Sequence, residues 1–167
     1  MKKLVIYYSF EGNTKLIAED IAKAIDADLL EIKPVTEIET KGFMKFFWGG
    51  KQAMMNEKPL LLPLDKNPED YDVIFIGTPV WAWAPAPPLK TFFDTHKFEN
   101  KKIALFCCHG GGKGKTLEKM KQALGEQNEF IGQIDFVDPL KRKTEEKVKK
   151  AVEWARTICG KINCNTK

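Results

Sequence analysis

The chain has 167 residues, of which 43% are hydrophobic and 30% charged, and its formal net charge is +4. These values suit one globular domain, and they exclude a membrane-spanning chain because no apolar run reaches the roughly 20 residues that cross a bilayer. The lysines are interspersed with acids and no nucleic-acid motif is present, so the charge indicates solvated helix faces rather than nucleic-acid binding. We expect a cytoplasmic protein, because the apolar run near the start is too short for a secretion signal.

Apolar runs alternate with helical patterns along the sequence, which predicts a single α/β domain over residues 1–167 with a parallel sheet covered by helices on both faces. Strands are predicted at 3–8, 26–33, 71–77, 101–108 and 129–137. Helices are predicted at 13–25, 88–96, 115–124 and 144–159. The inward stripe of the first helix is expected to be Ile17, Ile21 and Ile25, and that of the last Val148, Val152, Ala155 and Cys159.

An insert at residues 34–70 interrupts this alternation between the second and third strands. Residues 42–55 could form an amphipathic helix, although Gly49 and Gly50 weaken the pattern. Residues 58–68 are expected to be extended, because their prolines disfavour a helix. The aromatic part of the insert, 43–48, could serve as a homodimer interface.

The loop "SFEGNT" follows the first strand and leads directly into the first helix. In an open parallel sheet, ligands bind beyond the carboxyl ends of the strands, at the point where the strand order reverses. Here the hydroxyls of Ser9 and Thr14, the amide of Asn13 and the backbone around Gly12 offer hydrogen-bond donors at a helix N-terminus. This combination suits a phosphate. The alternative is that Asn13 or Thr14 simply caps the helix.

The loop "TPVWAWAPAP" follows the third strand and carries two tryptophans among several prolines. Prolines stiffen a loop and reduce the entropy lost when a ligand binds. Trp81 and Trp83 could present flat faces to a planar ring. The alternative is that one or both tryptophans pack into the core beneath the insert.

The loop "CCHGGGKGKT" follows the fourth strand and superficially resembles a loop that binds nucleotide triphosphates. Such a loop needs four residues between its first glycine and the Gly-Lys pair, whereas Gly110 and Gly114 enclose three and His109 stands where the first glycine would have to be. We therefore disfavour a P-loop NTPase. The glycines instead allow the backbone to approach a flat polar partner, such as a pyrimidine edge, with His109 and Lys113 as candidate cations beside it.

The four cysteines include no CxxC pair and the chain has two histidines, His96 and His109, so no metal site is expected.

With these three loops in order after the right strands, the chain resembles flavodoxin-like FMN proteins over nearly its full length. "SFEGNT" is similar to the family's phosphate loop, "GTPVWAWAPAP" to its second loop, and "CCHGGG" to its glycine-bearing third loop. The resemblance implies a three-layer, doubly wound fold with a five-stranded parallel sheet in the order 2-1-3-4-5 and FMN at the switch between strands one and three. It assigns the FMN phosphate to Ser9, Phe10, Glu11, Gly12, Asn13 and Thr14, the ribityl chain and ring to Thr78, Pro79, Val80, Trp81, Ala82 and Trp83, and the pyrimidine edge to Cys108, His109, Gly110 and Gly111. Trp81 is expected to stack on the ring in preference to Trp83.

The resemblance implies a redox protein that exchanges electrons with partner proteins or with a small-molecule donor or acceptor. An FMN-dependent NAD(P)H oxidoreductase of quinones or other small acceptors is the alternative, and a cofactor-free binding module is a third reading. Two features of this sequence differ from the usual pattern of electron-carrying flavodoxins and bear on the choice between these functions. Residues 78–84 contain no glycine, whereas electron-carrying flavodoxins usually have one near flavin N5. Those flavodoxins are also typically acidic, so a net charge of +4 implies different partners.

Overall fold

Parallel strands run through the centre of the molecule, as the apolar runs predict. The structure is a computed structural model, and it describes the backbone of residues 1–36 and 58–164 and the side chains of this part as far as Ile162. Its strands are β1 (Lys3–Tyr7), β2 (Asp28–Glu31), β3 (Val73–Trp81), β4 (Ala84–Pro85), β5 (Lys102–His109) and β6 (Glu129–Val137). Its helices are α1 (Asn13–Ile25), α2 (Pro87–Thr95), α3 (Thr116–Leu124) and α4 (Thr144–Cys164), with a 3-10 turn at Pro68–Asp70.

The strand order confirms the predicted topology. The parallel strands lie in the order β2-β1-β3-β5-β6, and the short β4 pairs antiparallel with the end of β3. Counting the parallel strands alone, this is the order 2-1-3-4-5. Val5 of β1 lies between Leu29 of β2 and Phe75 of β3, so the chain reverses its direction of winding at the β1/β3 boundary.

Two hydrophobic clusters cover the two faces of the sheet, which gives the three layers expected. Successive side chains of a strand point to opposite faces, so Ile6 belongs to the cluster under α2 and α3, whereas Val5 belongs to the cluster under α1 and α4. The predicted stripe of α1 is confirmed, because Ile17, Ile21 and Ile25 are all buried in the second cluster.

The last helix is longer than predicted, and its buried stripe is turned relative to the predicted one. Ala155 is fully buried as expected, but Val148, Val152 and Cys159 are only half-buried at the margin. The reason lies in β6, where Gly132 leaves room for Ile158, which a β-carbon at 132 would approach to 2.7 Å. The buried positions of α4 are Ala151, Ala155, Ile158 and Ile162.

The third strand also differs from its prediction, because it continues to Trp81 instead of ending at residue 77. Of the insert, the structure describes 34–36 and 58–70. Leu61 forms an antiparallel bridge with Pro34, and residues 58–67 contain no helix, as their prolines predict. The predicted helix at 42–55 and the predicted interface at 43–48 lie outside the described residues.

Candidate functional site

The loops that follow β1, β3, β5 and β6 surround a cleft of about 370 Å³ at the carboxyl edge of the sheet. Twelve of the sixteen residues predicted to contact the cofactor line it, whereas Gly12, Thr78, Trp83 and Gly111 do not. Asp138 and Lys141, which the sequence analysis did not single out, line it as well. The full lining is Ser9, Phe10, Glu11, Asn13, Thr14, Pro79, Val80, Trp81, Ala82, Cys108, His109, Gly110, Asp138 and Lys141.

The first loop presents an uncapped helix N-terminus to this cleft. Gly12 occupies the capping position with φ +89°, a left-handed conformation that favours glycine, and no side chain caps α1. The Asn13 side chain turns away from the helix end, because its Oδ1 accepts a 3.0 Å hydrogen bond from the backbone N–H of Leu140. Neither Asn13 nor Thr14 therefore acts as the cap that the alternative interpretation requires.

Two hydroxyls in the first loop are buried without an ordinary hydrogen-bond partner, those of Ser9 and Thr14. The Cys108 thiol lies beside Thr14, but a thiol is a weak partner and burial raises the pKa of this one. A buried hydroxyl left unsatisfied costs about 1–3 kcal/mol. Two such hydroxyls at an uncapped helix N-terminus fit the oxygens of a phosphate, so the residues present suit the phosphate end of FMN.

The second loop is a tight β-hairpin that the prolines did not reveal. Val80 pairs with Pro85 and Trp81 with Ala84, which leaves Ala82 and Trp83 as the two turn residues. Both turn residues have positive φ, 48° and 57°, as the type I′ turn of a two-residue hairpin requires.

The buried hydroxyl of Thr78 holds the base of the hairpin. It donates to the carbonyl of Pro79 at 2.9 Å and accepts from the N–H of Ala86 at 3.1 Å. Because both of its bonds stay within the loop and the side chain is fully buried, Thr78 supports the hairpin and does not line the cleft.

The two tryptophans of the hairpin have different surroundings. Trp81 lines the cleft and is held by edge-to-face contacts with Tyr8 and Phe10, whose ring centroids lie 5.9 and 5.5 Å away. Trp83 is 69% exposed and lies over Gly114, where an added β-carbon would come within 2.6 Å of the Trp83 β-carbon. The last glycine of the third loop is thus explained by this tryptophan.

A carboxylate on β6 holds both candidate cations of the third loop. Asp135 accepts a hydrogen bond of 2.7 Å from Lys113 Nζ, and its other oxygen lies 3.2 Å from His109 Nε2. Burial would raise the pKa of Asp135, but the hydrogen bonds from Lys113 and His109 outweigh that effect and lower it. The bond to Asp135 in turn raises the pKa of Lys113. The His109 side chain is only 7% exposed and its Nδ1 has no partner, although the residue lines the cleft.

The loop after β6 was not predicted to line the cleft, because only the loops after the first, third and fourth predicted strands were considered as candidates. The rule that ligands bind at this edge applies equally to the loop after the last strand. Asp135 could also have been identified as a candidate site residue, because it is a charged residue inside the largely apolar strand "EFIGQIDFV".

In the part of the chain described, no three metal-ligating side chains come together. Within the same ranges, no helix is both long enough and apolar enough to cross a membrane.

Comparison with known proteins gives a consistent result. A family model described as flavodoxin matches residues 2–155. The flavodoxin-like domain-containing protein BilS of Clostridioides difficile (strain CD3) is 28% identical over 158 residues, which are 89% of this chain and 75% of that protein.

Solved structures agree. The structure of a flavoprotein from Lactobacillus acidophilus NCFM in complex with FMN is 29% identical, with a TM-score of 0.68, and the alignment covers 86% of this chain and 98% of that one. Oxidised flavodoxin 2 from Bacillus cereus has the same fold at 21% identity, with a TM-score of 0.62 over 96% of this chain and 99% of that one.

Proposed function

Because this chain belongs to the flavodoxin family, we propose that it binds FMN in the cleft and transfers electrons between redox partners. The observation that carries the proposal is the pair of buried, unpartnered hydroxyls at the uncapped start of α1. The Lactobacillus acidophilus flavoprotein, solved with FMN, supports the choice of cofactor. FMN supplies the redox chemistry when it is bound, and the chain determines how it is held and in what electrostatic surroundings.

In this proposal the first loop binds the phosphate. The hydroxyls of Ser9 and Thr14 donate hydrogen bonds to phosphate oxygens, and the free N–H groups at the start of α1 add further donors. Charge-assisted hydrogen bonds of this kind are worth about 1.5–3 kcal/mol each, so the loop provides most of the discrimination for a phosphorylated flavin.

The second and third loops hold the ring. Trp81 offers a ring face whose orientation Tyr8 and Phe10 fix, which lowers the entropy lost on stacking. At the pyrimidine edge, the exposed backbone of Gly110 and the ring of His109 supply polar contacts. Asp135 holds the His109 ring in place from the side away from its free Nδ1.

The test is a flavin titration of two matched variants. Thr14→Val removes a buried unpartnered hydroxyl in the cleft, and Thr116→Val removes a buried unpartnered hydroxyl that does not line it. We expect Thr14→Val to weaken FMN binding by roughly 10- to 150-fold, the equivalent of one charge-assisted hydrogen bond, and Thr116→Val to leave it unchanged. Equal affinities for the two variants would contradict the phosphate assignment.

The electron-transfer role needs a separate test on the FMN-loaded protein. We expect NADH or NADPH alone to leave its visible absorbance unchanged under anaerobic conditions, whereas a reduced protein donor bleaches it. Rapid bleaching by NADH or NADPH alone would instead support the oxidoreductase of quinones or other small acceptors.

A further inference from the structure

A turn at residues 138–142 contributes Asp138 and Lys141 to the lining of the cleft, and it is anchored to two of the three cofactor loops. The N–H of Asp138 donates to the carbonyl of His109 at 2.9 Å, which ties the turn to the third loop. The N–H of Leu140 donates to Asn13 Oδ1 at 3.0 Å, which ties it to the first. Within the turn, the N–H groups of Lys141 and Arg142 both donate to the carbonyl of Asp138, at 3.0 and 2.9 Å.

The contact between this turn and the first loop is close as well as hydrogen-bonded. A β-carbon added at Gly12 would lie 3.2 Å from Leu140 Cδ1, so the Leu140 side chain packs closely against the bare backbone of Gly12. Asp138 itself has a positive φ of 42°, a left-handed conformation at the start of the turn. The position of Lys141 is therefore fixed by contacts on both sides of it, and its side chain lines the cleft.

The first loop supplies dipoles but no cation for a phosphate dianion. Residues 9–14 contain no lysine or arginine and include an acid, Glu11. Among the described residues that line the cleft, Lys141 is the one that carries a permanent positive charge. It forms no ion pair with any residue in the described ranges, whereas the adjacent Arg142 lies 3.7 Å from a carboxylate oxygen of Asp138.

We propose that Lys141 is the cationic contact for the phosphate of FMN and that it adds to the selectivity of the first loop for the phosphorylated flavin over riboflavin. The inference rests on the proposed function and extends it, because it adds a charge contact from the turn after β6 to the hydrogen bonds that the first loop donates to the phosphate. An unpaired lysine beside an uncapped helix N-terminus adds a full charge to a site otherwise made of partial charges.

The test compares Lys141→Gln with Arg142→Gln in flavin fluorescence titrations of the full chain. Both variants lose one positive charge from the same turn, so the long-range field of the protein changes equally, but only Lys141 lines the cleft. We expect Lys141→Gln to weaken FMN binding roughly three- to tenfold, because the charge contact is exposed to solvent, and to leave riboflavin binding unchanged. Arg142→Gln, which only uncovers the Asp138 carboxylate, should weaken FMN binding less than Lys141→Gln and leave riboflavin binding unchanged, and Lys141→Arg should restore FMN binding.

Salt provides a second readout that a merely structural role would not change. Wild-type affinity for FMN should fall as ionic strength rises, and the fall should be shallower in Lys141→Gln. The inference would be overturned if Lys141→Gln lost equal affinity for FMN and riboflavin, or if the two glutamine variants lost equal affinity for FMN. It would also be overturned if the affinity of Lys141→Gln for FMN depended on salt as steeply as that of the wild type. A wild-type chain that binds no FMN would overturn the proposed function itself, whereas FMN binding that is unaffected by Lys141→Gln would overturn the role of Lys141 alone.

Discussion

Replacement of Asp135 by asparagine should raise the two-electron reduction potential of the bound FMN. Asp135 is ionised at neutral pH, because its hydrogen bonds from Lys113 and His109 lower its pKa despite partial burial. The same carboxylate offsets the charge of Lys113. The amide of asparagine has nearly the same shape and can still accept one of the two hydrogen bonds, so the substitution removes one negative charge with little change in packing.

The size of the effect follows from Coulomb's law. Reduction adds negative charge on the pyrimidine side of the flavin, which the third loop is expected to face. A unit charge about 7 Å away contributes roughly 0.6 kcal/mol in bulk water and roughly 2.4 kcal/mol at an effective dielectric constant of about 20. Because the Asp135 side chain is 31% exposed and is therefore partly screened by solvent, the lower half of this range applies. Since about 1.4 kcal/mol corresponds to 30 mV for a two-electron couple, we expect a rise of about 15–30 mV.

The assay is anaerobic potentiometric titration of the FMN-loaded protein at neutral pH. Glu129→Gln is the matched control, because it removes a carboxylate from the opposite end of the same strand, where that group pairs with Lys102. The double variant Asp135→Asn/Lys113→Gln restores the local charge balance and should return to the wild-type potential. If the single variant leaves the potential unchanged or lowers it, or if the double variant keeps the whole shift, the third loop does not tune the cofactor by charge.

Three further predictions follow from packing and titration. Trp81→Ala should increase bound-flavin fluorescence more than Trp83→Ala, since Trp81 lines the cleft and Trp83 is 69% exposed, and the opposite order would mean that the exposed tryptophan stacks on the ring. Gly77→Ala should lower the free energy of unfolding in urea by roughly 1–3 kcal/mol, because its β-carbon would lie 2.1 Å from a phenylalanine ring atom, whereas Gly112→Ala, with nothing within 4 Å, should change it by less than about 0.5 kcal/mol. The lowered pKa of Asp135 stabilises the fold above the usual carboxyl pKa, and this contribution is lost as the pH falls through the folded pKa. Circular dichroism should therefore show that Asp135→Asn loses less stability than the wild type below about pH 4.

The positions of the parallel strands could be predicted because both faces of the sheet are covered, whereas their order was implied by the resemblance to flavodoxin-like proteins. A strand in such a sheet carries a continuous apolar run, as "KLVIYY" does, and the run identifies the strand without further information. Once that order is given, the three loops that follow these strands locate the cleft at the carboxyl edge of the sheet. Twelve predicted residues line it for this reason, although their roles toward the cofactor remain predictions.

The local geometry of the loops could not be predicted in the same way. A two-residue hairpin is usually predicted from Asn-Gly or a similar pair at the turn, whereas here Ala82 and Trp83 adopt the positive φ angles. Asp135 meets His109 only because the register of β5 and β6 places it opposite Cys107. Lys141 reaches the cleft through a hydrogen bond between Leu140 and the distant Asn13, so its proximity depends on tertiary structure rather than on any local pattern.

The contact between Trp83 and Gly114 couples the hairpin to the third loop, and these two segments form two walls of the cleft. The indole lies directly on bare backbone, with no side chain between them to absorb a displacement. We therefore expect a movement of the hairpin tip to displace the third loop in the same direction, so that the gap between the two walls changes little. In the proposed electron-transfer role, a cavity that keeps its aperture in this way would rearrange little when the charge of its occupant changes.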